Sequence, residues 1–144
     1  MEVYRICSEE HANVITASGC ENRWNLGGQM VIYGSGSRSL ATLEMMVRRS
    51  SILPTLNIRL MVLSITEEAS LIRQVQLEDL PSNWRTMAGR SIIQLIGASW
   101  YASKESLVLK IPSVVIPQEF NYAINTIHPL FGECVKLVET EYFF

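Results

Sequence analysis

The segment MVIYGSGSRSLATLEMMVRR, residues 30–49, indicates the kind of fold that this chain adopts. Residues 30–33 form a compact apolar run that predicts a strand. The following residues 34–37 contain two glycines and two serines and predict a flexible turn. The segment therefore begins as a strand, turns sharply and continues into a helix.

The helix is predicted to extend to about Arg49. Ser37 is suited to be its N-cap, because a serine oxygen can accept a bond from a free backbone N–H of the first turn. Leu40, Leu43 and Val47 recur at helical spacing, which predicts one apolar stripe facing the core.

Short apolar runs separated by glycine, proline and polar residues continue along the rest of the chain. Further strands are predicted over residues 3–7, 56–65, 107–111, 120–125 and 133–143. A second, more buried helix is predicted over residues 85–103, and residues 9–28 are polar and irregular. Because strands and helices mix without a regular βαβ alternation, we expect one α+β domain spanning residues 1–144.

The composition limits the classes of function. Of the 144 residues, 48% are hydrophobic and 18% are charged, which favours a compact core over disorder. There are 12 Lys+Arg and 14 Asp+Glu, giving a net charge of −2. This balance argues against a surface built mainly to bind nucleic acid, which requires clustered positive charge.

The compartment is predicted from what the sequence lacks. It shows no secretory leader and no apolar run near the roughly 20 residues that span a bilayer. Cys7, Cys20 and Cys134 are widely spaced and include no C-x-x-C pair, so a disulfide framework is not expected. We expect a cytoplasmic location.

Several common sites are excluded by their motifs. The glycine-rich turn lacks the Gly-Lys-Ser/Thr ending of a P-loop and the third glycine of a dinucleotide fingerprint, and there is no G-x-S-x-G elbow. His11 and His128 belong to no recognisable triad. Cys7, His11 and Cys20 could meet at a zinc ion, but the paired spacing of structural zinc sites is missing.

Glu44 is unusual for its position. It lies within about 40° of Leu40 around the helix, at the edge of the apolar stripe, where a carboxylate needs donors, a cation or water. The alternative is an ordinary exposed pair with Arg48 one turn later.

Two further groups could bind a ligand. Arg23-Trp24-Asn25 precedes Gly27-Gly28 in the irregular segment, and an arginine beside glycines suits phosphate or carboxylate. The alternative is a surface arginine covering a half-buried Trp24. Ser113 follows Pro112 at a strand end, and three polar residues come later in the chain: Asn121, Asn125 and His128. The alternative is that Pro-Ser forms an ordinary turn.

Taken in order, the chain resembles the RES domain, the toxin half of Xre–RES toxin–antitoxin systems, a family named for its Arg, Glu and Ser. The matching segments are Val3-Tyr-Arg5, Asn22-Arg-Trp-Asn25, Gly28-x-x-Val-Ile-Tyr33, Ser39-Leu-Ala-Thr-Leu-Glu44, Leu80-Pro-x-x-Trp84, Gln94-x-x-Gly97-x-x-Trp100, Leu109-x-Ile-Pro-Ser113, Pro117-x-Glu-x-Asn-Tyr-x-x-Asn125 and His128-Pro129. One departure is Glu21-Asn22, where the family usually has a glycine before the Trp-Asn pair.

The resemblance implies an ADP-ribosyltransferase-like fold, a mixed β-sheet core flanked by helices. It also implies that NAD+ is the substrate, broken at the nicotinamide–ribose bond by water or inorganic phosphate, with no resident cofactor or metal. Some relatives transfer ADP-ribose to a protein instead, so a mono-ADP-ribosyltransferase stays a rival. A catalytically silent binding module is the second rival.

The implied partner is a cognate Xre-like antitoxin that blocks the active site in a hetero-oligomer. The toxin would deplete NAD+ in a bacterial cytoplasm and arrest growth. Contact with DNA would come only through the antitoxin, and no membrane is involved.

The resemblance also assigns roles to residues. Arg5 and Arg23 would anchor the pyrophosphate and ribose, and Tyr33 would stack on the nicotinamide or hold its ribose. Glu44 would stabilise the electron-poor ribose, and Ser113 would supply a hydroxyl near it. The catalytic candidates are therefore Arg5, Glu44 and Ser113. The NAD-binding candidates are Arg23, Tyr33, Asn25, Asn121 and Asn125.

Overall fold

Seven strands hydrogen-bond into one mixed sheet in the computed structural model, which describes residues 1–48 and 57–143. The strands are β1 (Glu2–Ser8), β2 (Val31–Ser35), β3 (Ile58–Ile65), β4 (Ile72–Gln74), β5 (Val108–Pro112), β6 (Phe120–Asn125) and β7 (Val135–Tyr142). Their order is β4-β5-β6-β2-β1-β3-β7, and only the β4–β5 pair is parallel.

Three helices pack around this sheet: α1 (Arg38–Arg48), α2 (Arg90–Ser103) and the short α3 (Phe131–Cys134). Helix α1 lies against β1 and β2, in the middle of the sheet. The predicted α+β fold is therefore confirmed. Among the residues that the structure describes, no helix is long and apolar enough to cross a bilayer.

The buried side chains form two clusters. One centres on β1 and β3 and includes Val3, Met61 and Leu63, each 1% exposed or less. The other joins β5 and β6 to α2 and contains the chain's three tryptophans. Burial of apolar surface in both clusters is the main stabilising contribution to the fold.

The predicted N-cap of α1 is confirmed, because Ser37 Oγ accepts a hydrogen bond of 3.0 Å from the Leu40 N–H. The predicted apolar stripe is wrong at Val47, which is 63% exposed. Met45 is buried in its place, since α1 rests on the sheet through Leu40, Ala41 and Met45.

The second helix begins later than predicted. Residues 87–89 form a 3-10 turn, Met87 is 75% exposed, and α2 starts only at Arg90. Gly89, the last residue of this turn, lies so close to the chain at residues 83–84 that a Cβ there would be 2.3 Å from the Asn83 carbonyl oxygen, so the position requires glycine.

The predicted strands at residues 3–7, 30–33, 107–111 and 120–125 are confirmed with small boundary shifts, and β7 covers most of residues 133–143. Strand β4 and helix α3 were not predicted. The predicted ends at Arg49 and Leu56 lie outside the described residues.

Candidate functional site

A cavity of about 900 Å³ lies beside the middle of the sheet. Its wall combines residues of β1, β2 and α1 with the loop around residues 18–24, with Arg85 and the first residue of α2, and with the end of β5 and the residues that follow it. The volume falls within the range of small-molecule and cofactor sites. The segment that indicated the fold contributes residues of both β2 and α1 to the lining of this cavity.

Glu44, in the second turn of α1, lines the cavity. Its Oε1 accepts two hydrogen bonds, one of 2.6 Å from Ser113 Oγ and one of 2.7 Å from Asn121 Nδ2. Among residues 1–48 and 57–143 it forms no ion pair with Arg48, so the exposed-pair alternative is not what the structure contains. Both bonds go to one oxygen, so that Oε2 is available to a ligand.

The two donors to Glu44 are themselves held in place. Ser113 is fully buried, and its Oγ accepts bonds of 3.1 and 3.0 Å from the N–H groups of Val115 and Ile116. Asn121 Oδ1 accepts a bond of 2.6 Å from Ser35 Oγ. This bond defines the orientation of the amide, because a hydroxyl that donates to Oδ1 leaves Nδ2 directed at Glu44. The carboxylate thus ends a connected hydrogen-bond network.

The sheet register makes this arrangement possible. Ser35 at the end of β2 lies opposite Asn121 near the start of β6, and Pro112 at the end of β5 lies opposite Phe120. Ser35, Asn121 and Ser113 therefore lie at neighbouring strand ends on the same side of the sheet, where Ser113 and Asn121 bond to Glu44 of α1.

Arginine dominates the charge of the cavity. Five arginines and a single carboxylate, Glu44, line it, giving a formal charge of 5 − 1 = +4. The five are Arg5, Arg23, Arg48, Arg85 and Arg90. None of them takes part in the four ion pairs seen among the described residues. The cavity is therefore suited to an anionic ligand.

Two of these arginines are desolvated. Burial lowers the pKa of Arg5, whose Nη1 donates a bond of 3.3 Å to the Tyr33 carbonyl oxygen. The pKa of Arg23 is lowered first by burial and then by the neighbouring charge of Arg90. Keeping these two guanidinium groups charged in a partly desolvated site costs free energy. A bound anion would offset that cost.

Tyr33 lines the cavity, and its hydroxyl donates to Asn25 Oδ1. Burial raises the pKa of Tyr33 well above its usual value, so the phenol stays protonated. The side-chain amide of Asn25 donates in turn to the carbonyl oxygens of Cys20 and Leu26. Asn25 therefore ties the loop that carries Arg23 to β2.

The structure brings five of the predicted site residues to the cavity wall. They are Arg5, Arg23, Tyr33, Glu44 and Asn121. Asn25 and Ser113 lie directly behind the wall, hydrogen-bonded to Tyr33 and Glu44. Asn125 is elsewhere: it is fully buried and bonds to the Tyr101 carbonyl and the Ile127 N–H.

Sequence reasoning did not assign a site role to Ser35, Arg48, Arg85 or Arg90. Ser35 had one usable signal, since it is a polar residue directly after a buried strand. The arginines had none, because only the folded chain brings residues 48, 85 and 90 around one cavity.

Known protein families include one that matches nearly the whole length of this chain. A profile of the RES domain matches residues 2–144. The chain belongs to the RES domain family. This confirms the family that the sequence motifs indicated.

Among the relatives of this RES domain is a Toxin Res from Yersinia enterocolitica, 34% identical over 96% of the chain and 93% of that protein. A protein of Sphingobium named Prs ADP-ribosylating toxin is 32% identical over 74% of the chain and 67% of that protein. A Toxin Res from Photorhabdus laumondii is 28% identical over 81% of the chain and 74% of that protein.

The departure at Glu21-Asn22 has a defined structure in this RES domain. Asn22 Oδ1 accepts a bond of 2.8 Å from the Arg23 N–H, and Glu21 accepts one of 3.0 Å from Gln94 on α2. Among the described residues, Glu21 forms no ion pair with Arg23. The extra carboxylate thus leaves the guanidinium group of Arg23 available to the cavity.

Proposed function

We propose that this RES domain is the toxin of a toxin–antitoxin pair and degrades NAD+ by breaking the nicotinamide–ribose bond. One observation carries the proposal: a single carboxylate, held by two hydrogen bonds, lines a cavity whose other charged residues in the described part of the chain are five arginines. Membership of a family whose relatives are named toxins supports the biological setting.

The chemistry of NAD+ matches the cavity. Its pyrophosphate is a dianion, which the forked guanidinium groups of Arg5 and Arg23 would bind. Its nicotinamide is a flat cation, which the face of the Tyr33 ring would stabilise. These three residues would fix the dinucleotide with its nicotinamide ribose toward Glu44.

Glu44 would supply the catalytic charge. As the bond to nicotinamide breaks, positive charge develops on the ribose C1 and ring oxygen, and a fixed carboxylate stabilises it. Nicotinamide departs as a neutral molecule when the bonding electron pair moves to its ring nitrogen. No strong general acid is therefore required, and none lines the cavity in the described part of the chain.

Ser113 would act through Glu44. Its hydrogen is donated to the carboxylate and its oxygen accepts two backbone N–H groups, so its hydrogen-bonding capacity is used. We assign it as a positioning residue and not as a nucleophile. Asn121 would position the same carboxylate from the other side.

A second candidate is mono-ADP-ribosylation of a protein, favoured by the name of the Sphingobium relative, an ADP-ribosylating toxin. It would use the same cavity and the same first step, and differ only in the acceptor. In either case we propose that a cognate Xre-like antitoxin covers the cavity in a bacterial cytoplasm, and that DNA contact comes through that antitoxin.

The test is incubation of the antitoxin-free protein with NAD+, with and without inorganic phosphate, followed by mass spectrometry. Glu44→Gln keeps the shape and both hydrogen-bond donors but removes the charge. We expect it to slow NAD+ loss by about 10²-fold or more. Free ADP-ribose indicates hydrolysis, and ADP-ribose 1-phosphate indicates phosphorolysis. An added protein whose mass increases by that of ADP-ribose indicates transfer.

Glu78→Gln is the matched control, because Glu78 is an exposed glutamate outside the cavity. It should behave as the unmodified protein. If the folded protein leaves NAD+ intact and labels no protein, the proposed reaction is wrong.

A further inference from the structure

Helix α2 exposes an apolar surface to solvent. Ile92 and Leu95 are 49% and 63% exposed, and Met87 lies exposed just before the helix. Residues 91–103 contain no Asp, Glu, Lys or Arg. A helix side that stays in water normally carries charged residues, so this one is suited to contact another surface.

The exposed residues of α2 share one side of the helix. At about 100° per residue they fall within about 120° of one another. Ile93, Gly97 and Trp100 lie on the opposite side and are buried. We call the exposed set the outer face of α2, and its members are Ser91, Ile92, Leu95, Ser99, Ala102 and Ser103.

The apolar surface continues beside the helix. The Met30 N–H donates a bond of 3.1 Å to Tyr101 Oη, which places the chain near residue 30 along α2. Leu26 and Met30 are 41% and 37% exposed, and residues 24–37 contain no charged residue. Because a stable dimer buries roughly 800 Å² on each partner, these flanking residues add to the area that one helix face provides.

The outer face has a bulky half and a small half. Ile92 and Leu95 lie toward its N-terminal end, whereas Ser99 and Ala102 lie toward its C-terminal end. The two halves are spaced equally about the level of residue 97 along the helix axis. The equidistant pairs are Leu95 with Ser99, Ile92 with Ala102, and Ser91 with Ser103.

This spacing is complementary to itself. A two-fold axis at the level of residue 97 would bring the outer face against the outer face of a second copy, with the two helices antiparallel. Each bulky residue of one copy then lies over a small residue of the other, and a serine meets a serine at each end. Large side chains packed over small ones allow two helices to approach closely.

We propose that two copies of this RES domain associate through the outer face of α2 as an antiparallel helix pair. The occupant is a second copy because an unrelated helix gives no reason for large and small residues to be spaced equally about one level. Charge agrees with this choice. Each copy carries a net charge of −2, and repulsion between copies is smallest where the contacting face has no charge.

The helix pair leaves the cavity open. Arg90 lines the cavity and lies on the same side of α2 as the buried Ile93 and Gly97, away from the outer face. Association and NAD+ loss are therefore separate properties, and either can be present without the other.

The test is sedimentation equilibrium between about 1 and 100 μM protein. The unmodified protein should approach twice the mass of one chain as its concentration rises. In Leu95→Glu the dimer Kd should rise at least ~tenfold, because a carboxylate would lose its water on both sides of the two-fold axis. Circular dichroism should show that this variant is folded, since the substituted side chain is exposed.

Val14→Glu is the matched control. Val14 is also 63% exposed, and its neighbours Ala12 and Ile15 pack in the core cluster that does not include α2. Its dimer Kd should equal that of the unmodified protein.

Disulfide trapping tests the antiparallel register in a Cys20→Ser background, which removes an exposed thiol. An equal mixture of Ile92→Cys and Ala102→Cys proteins should give mainly the mixed disulfide, identified by its mass. A dimer in which Ile92→Cys links mainly to itself would contradict the antiparallel pair.

A protein that stays monomeric at the highest concentration overturns the proposal, and so does an equal Kd for Leu95→Glu and the unmodified protein. If the protein is monomeric and Leu95→Glu weakens its binding to an antitoxin or to phosphatidylcholine vesicles, the outer face belongs to that occupant and not to a second copy.

Discussion

At the scale of single residues, the position of Glu44 is explained by its neighbours. A carboxylate at the edge of a core-facing helix stripe costs free energy unless polar groups meet it. Here two side-chain donors converge on Oε1, each held by a further bond to Ser35 or to the backbone of residues 115–116. The arrangement restricts the carboxylate to one orientation.

Ser35 should act on the reaction only through Asn121, since its hydroxyl bonds to Oδ1 of that amide. We expect Ser35→Ala to reduce kcat several-fold, about the effect of one neutral hydrogen bond, with little change in KM. In an Asn121→Leu background the same substitution should change kcat no further. The measurement is a double-mutant cycle on kcat for NAD+ loss.

Additive effects in this cycle would show that Ser35 acts independently and would contradict the proposed orientation role. Ser39→Ala is the control, because Ser39 is an exposed serine on α1 outside the cavity.

At the scale of elements, α2 approaches the loop of Arg23 and Trp24 unusually closely. A Cβ on Gly97 would lie 1.8 Å from the Trp24 carbonyl oxygen, which is backbone and not a flexible side chain. Trp24 is 3% exposed, and Gln94 of α2 donates to the carbonyl oxygens of Asn22 and Asn25. The helix therefore sets the position of the loop that carries Arg23.

Gly97→Ala should consequently affect both stability and the cavity. We expect a loss of about 1–3 kcal/mol in the free energy of unfolding, the usual cost of overpacking, and a raised KM for NAD+ as Arg23 shifts. Urea denaturation and steady-state kinetics measure the two effects. Gly27→Ala is the control, since a Cβ at Gly27 meets nothing within 4 Å. Equal stability of the two variants would contradict this account of the helix–loop contact.

The elements that the sequence predicts correctly are those whose pattern depends on neighbouring residues. Apolar runs and a serine cap identify β1, β2, β5, β6 and α1, because a strand or helix pattern is written in neighbouring residues. The start of α2 was misplaced because long-range contacts decide it: the side chain of Arg85 is bonded to residues 114 and 115. Strand β4 has only three residues, too few to show a period.

The site residues divide in the same way, into those that a sequence pattern indicates and those that only the folded chain brings together. Glu44 was identified because a charge on an apolar stripe conflicts with its local pattern. Arg23 was singled out because it precedes glycines in an irregular segment, and the assignment of Arg5 and Tyr33 relied on family motifs. Arg85 and Arg90 could not be assigned to the site, since nothing near them in the sequence indicates that α2 begins beside the cavity.

At the scale of the whole molecule, charge is divided unevenly. The chain has a net charge of −2 and the cavity carries +4, so that the rest of the molecule carries −2 − 4 = −6. Field lines from the arginines are concentrated inside the cavity, while the outside repels large polyanions. Small anions are therefore favoured over nucleic acid.

Inorganic pyrophosphate should accordingly stabilise the protein. At a concentration about 100 times its Kd, we expect the Tm to rise by roughly 5–10 °C, and high salt should reduce the effect. Arg5→Ala should lose most of this rise, whereas Arg73→Ala should retain it. Thermal unfolding followed by circular dichroism gives the measurement. An equal rise in Arg5→Ala would place the anion elsewhere.

The hydrogen bonds of Glu44 also have a consequence for biosynthesis. Its two partners come 69 and 77 residues later in the chain, and the strand that carries Asn121 is inserted beside β2 from far downstream. Such distant pairings form late, because a long loop must close before the contact is gained. A nascent chain that has not yet reached Ser113 therefore has a Glu44 carboxylate with neither of its donors. Under the proposed function, NAD+ cleavage would begin only after synthesis has passed Asn121, so a product truncated before Ser113 would lack the positioned carboxylate.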